Sequence, residues 1–238
     1  METYTRRELL RLFPMALMMV TGCAGPDSST KGPAPPTRLR RRTSTASRTS
    51  IIPPPKPTLA KPTILPRKAW TSALPMTSRL DRMGCVTRMT VHHEGTNQPQ
   101  VYSVVDVAER LRRTRACHMR SPSSGGMSAG DIGYHYIIDA CGRIWDGRPM
   151  VYQGAHAGNS GLNRGNVGIV LLGNFDKSRP TPAQDKALKS MLEYLMKRYH
   201  VRSTGIYTHR ELKPTRCPGT NGQLLANRVR AGFRTLRV

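Results

Sequence analysis

The sequence predicts an α/β fold, in which helices flank a sheet and loops at one edge of that sheet carry the functional residues. Short apolar segments with strand patterns are separated by longer segments that have helix start signals and a helical spacing of apolar residues. Histidine and cysteine residues, which are common metal ligands, fall at the ends of predicted strands or in the loops that follow them. No internal repeat is present, so a repeat architecture is not expected.

The first predicted strand and helix follow from residue spacing. Residues 87–93 alternate in the manner of a strand, which places His92 and His93 on opposite faces. Ser103, with Asp106 three residues later, is typical of a helix start. The helix that continues toward residue 115 has one apolar stripe, formed by Val104, Val107, Ala108 and Leu111.

A loop, a hairpin and a buried strand are predicted next. Residues 121–130 combine serines with three glycines, which predicts a loop. Residues 134–140 and 143–146 are strand-like runs separated by two residues, and this arrangement is typical of a hairpin. The continuous apolar run at 167–172 suits a central strand that is buried on both faces.

The remaining elements complete the predicted domain. Residues 181–184 provide an N-cap threonine, a proline at the first helical position and a capping glutamine. The helix that follows is expected to bury Leu188, Met191, Leu192, Leu195 and Tyr199 on one side. Residues 205–209 predict a short strand that ends at His209, and residues 224–234 predict a closing helix.

The N-terminal residues predict export and lipid attachment. Residues 1–23 place arginines ahead of an apolar run at 12–20, which is the order of an export signal and is too short for a permanent membrane span. Residues 5–11 resemble a twin-arginine export signal, and residues 20–23 resemble a bacterial lipobox whose Cys23 takes the lipid. We therefore expect an exported protein, lipid-anchored to a bacterial cell-envelope membrane.

Residues 24–80 have the composition of a disordered tether. They hold 11 of the 19 prolines and 11 lysines or arginines, against the single acidic residue Asp27. Such a segment cannot bury enough apolar surface to offset the conformational entropy lost on ordering. The folded domain is therefore predicted to span residues 81–238.

The positive charge of the chain indicates an anionic partner. Lysines and arginines exceed aspartates and glutamates by 24, which suits nucleic acid, acidic lipid or an anionic polymer. The sequence has no zinc-finger pair and no aromatic-rich RNA-binding strand motif, and it has only 3 Phe and 2 Trp for base stacking. We therefore do not expect a nucleic-acid partner.

Two stretches that are far apart in the sequence predict one zinc site. Zinc binds imidazole nitrogen and thiolate sulfur, and a hydrolytic zinc site keeps three protein ligands with one position open for water. His92 or His93, together with His209 and Cys217, would supply these ligands. His209 and Cys217 are too far apart for one helical face, so the chain must turn back between them. The prolines and glycine of this segment suit such a loop.

Several motifs occur in order between residues 86 and 235. They are Val91-His92-His93, the run at 130–139, Gly147-Arg148, Gly154-Ala155-His156, Val167-Gly168-Ile169, Gly173-Asn174-Phe175, His209-Arg210-Glu211 and Cys217-Pro218-Gly219. Together they resemble the zinc N-acetylmuramoyl-L-alanine amidases, the family shared by peptidoglycan recognition proteins and phage amidase-type lysozymes.

This resemblance implies a central mixed, mostly parallel sheet flanked by helices, with a catalytic zinc in a groove at one edge. It also implies cleavage of the amide between N-acetylmuramic acid and the L-alanine of the peptidoglycan stem peptide. By position, His92, His209 and Cys217 match the zinc ligands, which leaves His93 on the opposite strand face. Peptidoglycan or muropeptides are the expected partners, and we expect the chain to act as a monomer.

Two further residues match positions beside the metal in the family. Tyr134 matches a tyrosine next to the zinc water, where a phenol could donate a hydrogen bond to the developing oxyanion or orient the water. Thr215 matches a position that is lysine in phage members and often threonine in recognition amidases. A threonine could donate a hydrogen bond there but brings no charge.

Other matches concern the substrate groove and the alternative function. His156 and Asn174 lie in motifs that line the groove in the family, and Glu211 is a candidate hydrogen-bond partner of a ligand imidazole. Glu94 departs from the small or hydroxyl residue that usually follows the histidine pair, which changes the charge near the metal. The alternative function is a non-catalytic peptidoglycan-binding module of the same fold. Recognition proteins of that kind lack the cysteine ligand, whereas Cys217 is present here.

Overall fold

A computed structural model of the protein describes residues 61–233. The predicted export signal, Cys23 and the predicted tether up to residue 60 lie outside the described residues. The strands are β1 (Ile64–Leu65), β2 (Arg88–His93), β3 (Tyr136–Ile138), β4 (Ile144–Asp146), β5 (Asn166–Leu171) and β6 (Ile206–Thr208). The α-helices are α1 (Val104–Met119), α2 (Ser160–Asn163), α3 (Pro182–Tyr199), α4 (His209–Leu212) and α5 (Thr220–Gly232).

The six strands form one mixed sheet in the order β1-β4-β3-β5-β2-β6. Strands β3 and β4 are antiparallel and form the predicted hairpin, whereas the other neighbouring strands are parallel. Every residue of β5 is buried, as its apolar sequence predicted for a central strand. The prediction of an α/β fold with a mostly parallel sheet is therefore confirmed.

Helices cover both faces of this sheet. Helices α3 and α5 pack on one face, in a cluster that includes Val91, Ile169, Leu188, Leu192 and Leu225. Helix α1 packs on the other face, in a cluster that includes Trp70, Val107, Leu111, Ile137 and Val170. Within residues 61–233, no helix combines the length and the apolar composition that a membrane crossing requires.

The helix start signals of the sequence are present in the structure. The Ser103 side chain accepts a hydrogen bond from the Asp106 N–H at 3.0 Å, and Thr181 and Gln184 form a reciprocal capping box. Val104 is exposed, because it lies in the first turn of α1, and the buried stripe begins at Val107. The closing helix α5 begins at Thr220, earlier than the predicted start at residue 224.

Residues 61–80 are folded, so the predicted boundary at residue 81 is wrong. Strand β1 pairs with β4, and Trp70 is only 1% exposed. The Trp70 indole N–H donates to the Asp146 carbonyl at 2.6 Å, and the Arg67 guanidinium donates to the Asp131 carboxylate at 2.9 Å. The average composition of residues 24–80 is that of a tether, so it did not indicate that residues 61–80 are ordered. The apolar and charged side chains of residues 61–80 attach this part of the chain to the sheet.

We predict that Trp70→Ala destabilises the protein by about 3–5 kcal/mol, because it removes a fully buried aromatic side chain. Chemical denaturation of the purified protein measures the free energy of unfolding. Leu74→Ala is the matched control in the same segment, since Leu74 is exposed and its loss should change stability by less than about 0.5 kcal/mol. Equal, small effects of both substitutions would mean that the segment is not packed on the domain.

Candidate metal centre

The ends of β2 and β6 bring two histidines together. These strands are parallel neighbours, and their register pairs Val91 with Thr208. The next residues, His92 and His209, are therefore adjacent, with ring centroids 4.7 Å apart. His92 is buried on the α1 face of the sheet. His93 points to the opposite face, as predicted, where its Nδ1 accepts a hydrogen bond from a backbone N–H after β5.

Glu211 fixes the start of α4, the helix that His209 opens. Its carboxylate accepts a hydrogen bond from the Thr208 N–H at 2.8 Å and pairs with Arg230 of α5 at 2.7 Å. The Gln223 amide also donates to it, at 2.9 Å. Glu211 therefore holds the backbone at Thr208, the residue before His209. Among the described residues, Glu211 does not form the hydrogen bond to a ligand imidazole that the sequence analysis suggested.

The loop after α4 returns Cys217 to the end of β2. Sγ of Cys217 is 3.5 Å from Nδ1 of His92. The Arg210 N–H donates to the Cys217 carbonyl at 3.0 Å, which closes the loop on α4. Gly219 follows with φ of 80°, and a Cβ there would lie 2.5 Å from the backbone of Phe175. Only glycine fits at this crossing of two backbones.

Three potential metal ligands converge at this point. One ligand atom from each of His92, His209 and Cys217 lies within 4.8 Å of the other two, and no further His, Cys, Asp or Glu among residues 61–233 joins the group. Nε2 of His209 is buried without a hydrogen-bond partner in the same part of the chain. Two imidazoles and one thiol are the donor set that zinc prefers. These residues therefore fit a zinc ion that keeps one position free of protein ligands.

Burial sets the protonation of the three side chains. It lowers the pKa of His92 well below the usual value, and the neighbouring His156 and His209 lower it further. Burial and then Lys213 lower the pKa of His209, so both imidazoles are neutral at neutral pH. Burial raises the pKa of the Cys217 thiol to about 11. Metal binding must therefore displace the thiol proton.

Tyr134 and Thr215 lie next to the three ligands. The Tyr134 ring centroid is 5.2 Å from that of His92. Burial raises the pKa of Tyr134 above its usual value, and the Cys217 and Glu94 side chains, when ionised, raise it further. The phenol therefore stays protonated and remains a hydrogen-bond donor. Thr215 is exposed, and its hydroxyl accepts a hydrogen bond from the Cys217 N–H at 3.3 Å.

Two cavities adjoin Tyr134, and we refer to both together as the groove. A cavity of about 490 Å³ is lined by Tyr134, His209 and the segment 153–160. A second cavity, of about 600 Å³, is lined by Tyr134, Glu94 and residues of α1. Both cavities therefore adjoin Tyr134, and the first also adjoins His209, one of the three converging side chains.

His156 and Asn174 are bonded to protein partners. His156 is buried, and its two ring nitrogens lie 3.0 Å from Nε2 of His92 and 3.1 Å from the Asn166 carbonyl oxygen. The Asn174 amide donates to the Gly95 carbonyl at 3.3 Å, which ties the loop after β5 to the loop after β2. Contacts of either residue with a substrate stay predictions.

A buried ion pair beside the groove was not expected from the sequence. The Arg110 Nε lies 2.7 Å from the Glu94 carboxylate, and both side chains are almost fully buried. Arg110 also donates to the Pro99 carbonyl at 2.7 Å. The available signal was the arginine itself, because Arg110 lies on the apolar side of α1 between Val107 and Leu111 and such a position requires a partner.

A model of the N-acetylmuramoyl-L-alanine amidase family matches residues 83–220. The match covers more than half of the chain and includes all three converging side chains. The chain belongs to the N-acetylmuramoyl-L-alanine amidase family.

Similar proteins include amidases and recognition proteins. Peptidoglycan-recognition protein SC2 of Drosophila melanogaster is 31% identical over 160 residues, which is 67% of this chain and 82% of that protein. The structure of the amidase LysC from Clostridium intestinale is 25% identical with a TM-score of 0.57, covering 72% of this chain and 97% of that one. Wild-type Drosophila PGRP-LB is 27% identical with a TM-score of 0.58, covering 69% and 91%. A mutant of PGRP-LB is known in complex with tracheal cytotoxin.

We predict that Arg110→Met destabilises this family member by about 3–5 kcal/mol, because it leaves the buried Glu94 carboxylate without its partner. Arg113→Met is the control on the same helix, where the ion pair with Glu109 is exposed and its loss should cost less than about 1 kcal/mol. Urea denaturation gives both values. A double variant, Arg110→Met with Glu94→Leu, should recover part of the lost stability, and no recovery would contradict the assignment of an unpaired charge as the cause.

Proposed function

We propose that this protein is a zinc-dependent N-acetylmuramoyl-L-alanine amidase, which cleaves the amide between N-acetylmuramic acid and the L-alanine of the peptidoglycan stem peptide. The main support is the convergence of His92, His209 and Cys217, without a fourth protein ligand among the described residues. The family match supports the same substrate class.

The three ligands would hold zinc in a state suited to hydrolysis. His92 and His209 offer neutral nitrogens, and Cys217 offers sulfur once its proton is displaced. A zinc ion with three protein ligands would polarise the scissile carbonyl and lower the pKa of a bound water toward about 7.

In this proposal, Tyr134 stabilises the charge that develops on the carbonyl oxygen. Its phenol is protonated and lies beside His92 in a largely buried site. A donor that is already oriented in a site of low dielectric strengthens its interaction with an oxyanion, since no reorganisation is needed as the charge forms. The Thr215 hydroxyl accepts from the Cys217 N–H, so its own hydrogen is free to assist the same oxygen.

Hydrolysis breaks the carbon–nitrogen bond of the amide. The oxygen of water joins the carbonyl carbon of the lactyl group, which becomes a carboxylate on the glycan. The nitrogen of L-alanine takes up a proton and leaves as the amino terminus of a free stem peptide.

We further propose that the enzyme acts on the cell-envelope side of a bacterial membrane, held there by a lipid on Cys23. The signal-like order of residues 1–23 supports export, and the proline-rich composition of residues 24–60 suits a tether. The excess of 24 positive charges suits an anionic polymer or lipid surface near the substrate.

A non-catalytic recognition module is the second candidate function. Several similar proteins are named as recognition proteins, and a mutant of one is known in complex with tracheal cytotoxin. Binding alone requires the groove but not the metal ligands. The complete set of His92, His209 and Cys217 therefore favours the enzyme.

We predict that the purified protein loaded with zinc releases free stem peptides from muropeptides, and that Cys217→Ala does not, because that variant lacks the sulfur ligand. Mass spectrometry of the digest identifies the new amino terminus. Cys85→Ala is the control, since Cys85 is an exposed cysteine that is not part of the metal group. Binding of muropeptides without any cleavage by the wild type would support the recognition module instead. Full cleavage by metal-free Cys217→Ala would contradict the zinc mechanism.

We also predict that Tyr134→Phe lowers kcat by about 10²–10³-fold, as the loss of one oxyanion donor does in other hydrolases. The zinc content should stay at one ion per chain, because Tyr134 is not a member of the ligand group. Tyr199→Phe on α3 removes a hydroxyl from the other side of the sheet and should leave kcat unchanged. A Tyr134→Phe enzyme with the rate of the wild type would exclude the phenol from the reaction.

A further inference from the structure

His156 lies against the proposed zinc ligand His92 and packs on Gly168 of β5. Nδ1 of His156 is 3.0 Å from Nε2 of His92. Nε2 of His156 is 3.1 Å from the carbonyl oxygen of Asn166, the first residue of β5. Both imidazoles are buried. The two rings therefore form a chain of hydrogen bonds that ends on a backbone carbonyl.

The Asn166 carbonyl oxygen determines which group donates and which accepts in each of these hydrogen bonds. A carbonyl oxygen only accepts, so Nε2 of His156 must carry the hydrogen. A doubly protonated ring would be a buried charge whose hydrogen-bond partners include no carboxylate, which is unfavourable. Nδ1 of His156 is then an acceptor, and Nε2 of His92 must be the donor. The lone pair of His92 consequently lies on Nδ1, the atom that faces Sγ of Cys217 at 3.5 Å.

Two glycines next to His156 leave the space that its imidazole ring occupies. A Cβ on Gly168 or on Gly154 would lie 2.4 Å from the imidazole, so neither position has room for a side chain. The backbone N–H groups of His156 and Ala157 both donate to the Asn163 side-chain oxygen at 2.9 Å. The ring is thus restricted by close packing, and the backbone is held by hydrogen bonds.

The acceptor carbonyl is also held in place. The Asn166 side chain accepts from the Thr90 hydroxyl at 2.9 Å and donates to the Leu162 carbonyl at 2.8 Å. Both residues are fully buried. The side chains of Asn166 and Thr90 therefore both have hydrogen-bond partners, as a buried polar network needs in order to be rigid.

We propose that His156 is a positioning residue, which fixes the ring orientation and the tautomer of His92 so that Nδ1 is presented to the metal. This inference rests on the proposed metal centre. It assigns His156 a role different from the substrate contact expected from the sequence, since both of its ring nitrogens are used by the protein. Partners of this kind typically change metal affinity by 10–100-fold when they are removed.

Substitutions of equal shape separate positioning from packing. Asparagine and leucine have almost the same branched outline, but only asparagine places an acceptor where Nδ1 of His156 stands. In His156→Leu, the His92 N–H loses its acceptor, and the zinc dissociation constant should rise by about 10–100-fold, whereas in His156→Asn it should rise by no more than about threefold. Competition of the purified full-length protein with a chelator measures both constants.

His118→Leu is the control for loss of a buried imidazole near the site. Nδ1 of His118 accepts from the Gly133 N–H at 2.9 Å and bonds to no metal ligand, so zinc affinity should equal that of the wild type. Equal losses of affinity in His156→Asn and His156→Leu would overturn the inference and leave a packing role. Unchanged affinity in His156→Leu would overturn it as well. A wild-type protein that binds no zinc would instead contradict the proposed function on which the inference rests.

A measurement on the wild type avoids any dependence on variant folding. Side-chain nitrogen chemical shifts in NMR distinguish protonated from unprotonated imidazole nitrogens. In the metal-free protein, His92 and His156 should each carry the hydrogen on Nε2 and not on Nδ1. The opposite tautomer at His92 would overturn the inference.

Discussion

The parallel pairing of β2 with β6 is the constraint on which the metal centre depends. Parallel neighbours end at the same edge of a sheet, so residues that are more than a hundred positions apart in the chain meet there. The pairing of Val91 with Thr208 sets His92 beside His209. A slip of one residue in β2 would turn His92 toward α3 and bring His93 to the groove. The apolar face of β2 opposes such a slip, because Met89 and Val91 are buried against α3 and α5.

The sheet face against which α1 packs has an apolar part and a polar part. Apolar side chains form one part, whereas a layer of bonded histidine and asparagine side chains lies between Asn166, the first residue of β5, and His92 of β2. Burying polar groups costs free energy unless each finds a partner. This layer satisfies that condition with backbone carbonyls and amide side chains, and Gly168 provides the space for it. Part of the core therefore consists of hydrogen-bonded polar side chains that orient one another, and not of apolar side chains.

The sequence predicted the strands, the helices and the converging residues better than it predicted the hydrogen-bond and ion-pair partners that hold those residues. Strand alternation separated His92 from His93, and the capping residues at 181–184 located the start of α3, because both signals are local. The partners of His156 and Glu94 come from other elements, and periodicity reports which face a residue occupies but not what lies opposite. The folded segment at 61–80 was missed for a related reason. Its composition matches that of a tether, and Trp70 gains its burial only from distant strands and α1.

The central claim is that two imidazoles and one thiolate bind a single zinc ion that keeps an open position. X-ray absorption at the zinc edge of the purified protein tests it most directly. The account predicts one sulfur at about 2.3 Å, together with nitrogen or oxygen neighbours at about 2.0–2.1 Å that include two imidazoles. Loss of the sulfur signal in Cys217→Ala would identify its source. A spectrum without sulfur, or one with four protein ligands around the metal, would contradict the account.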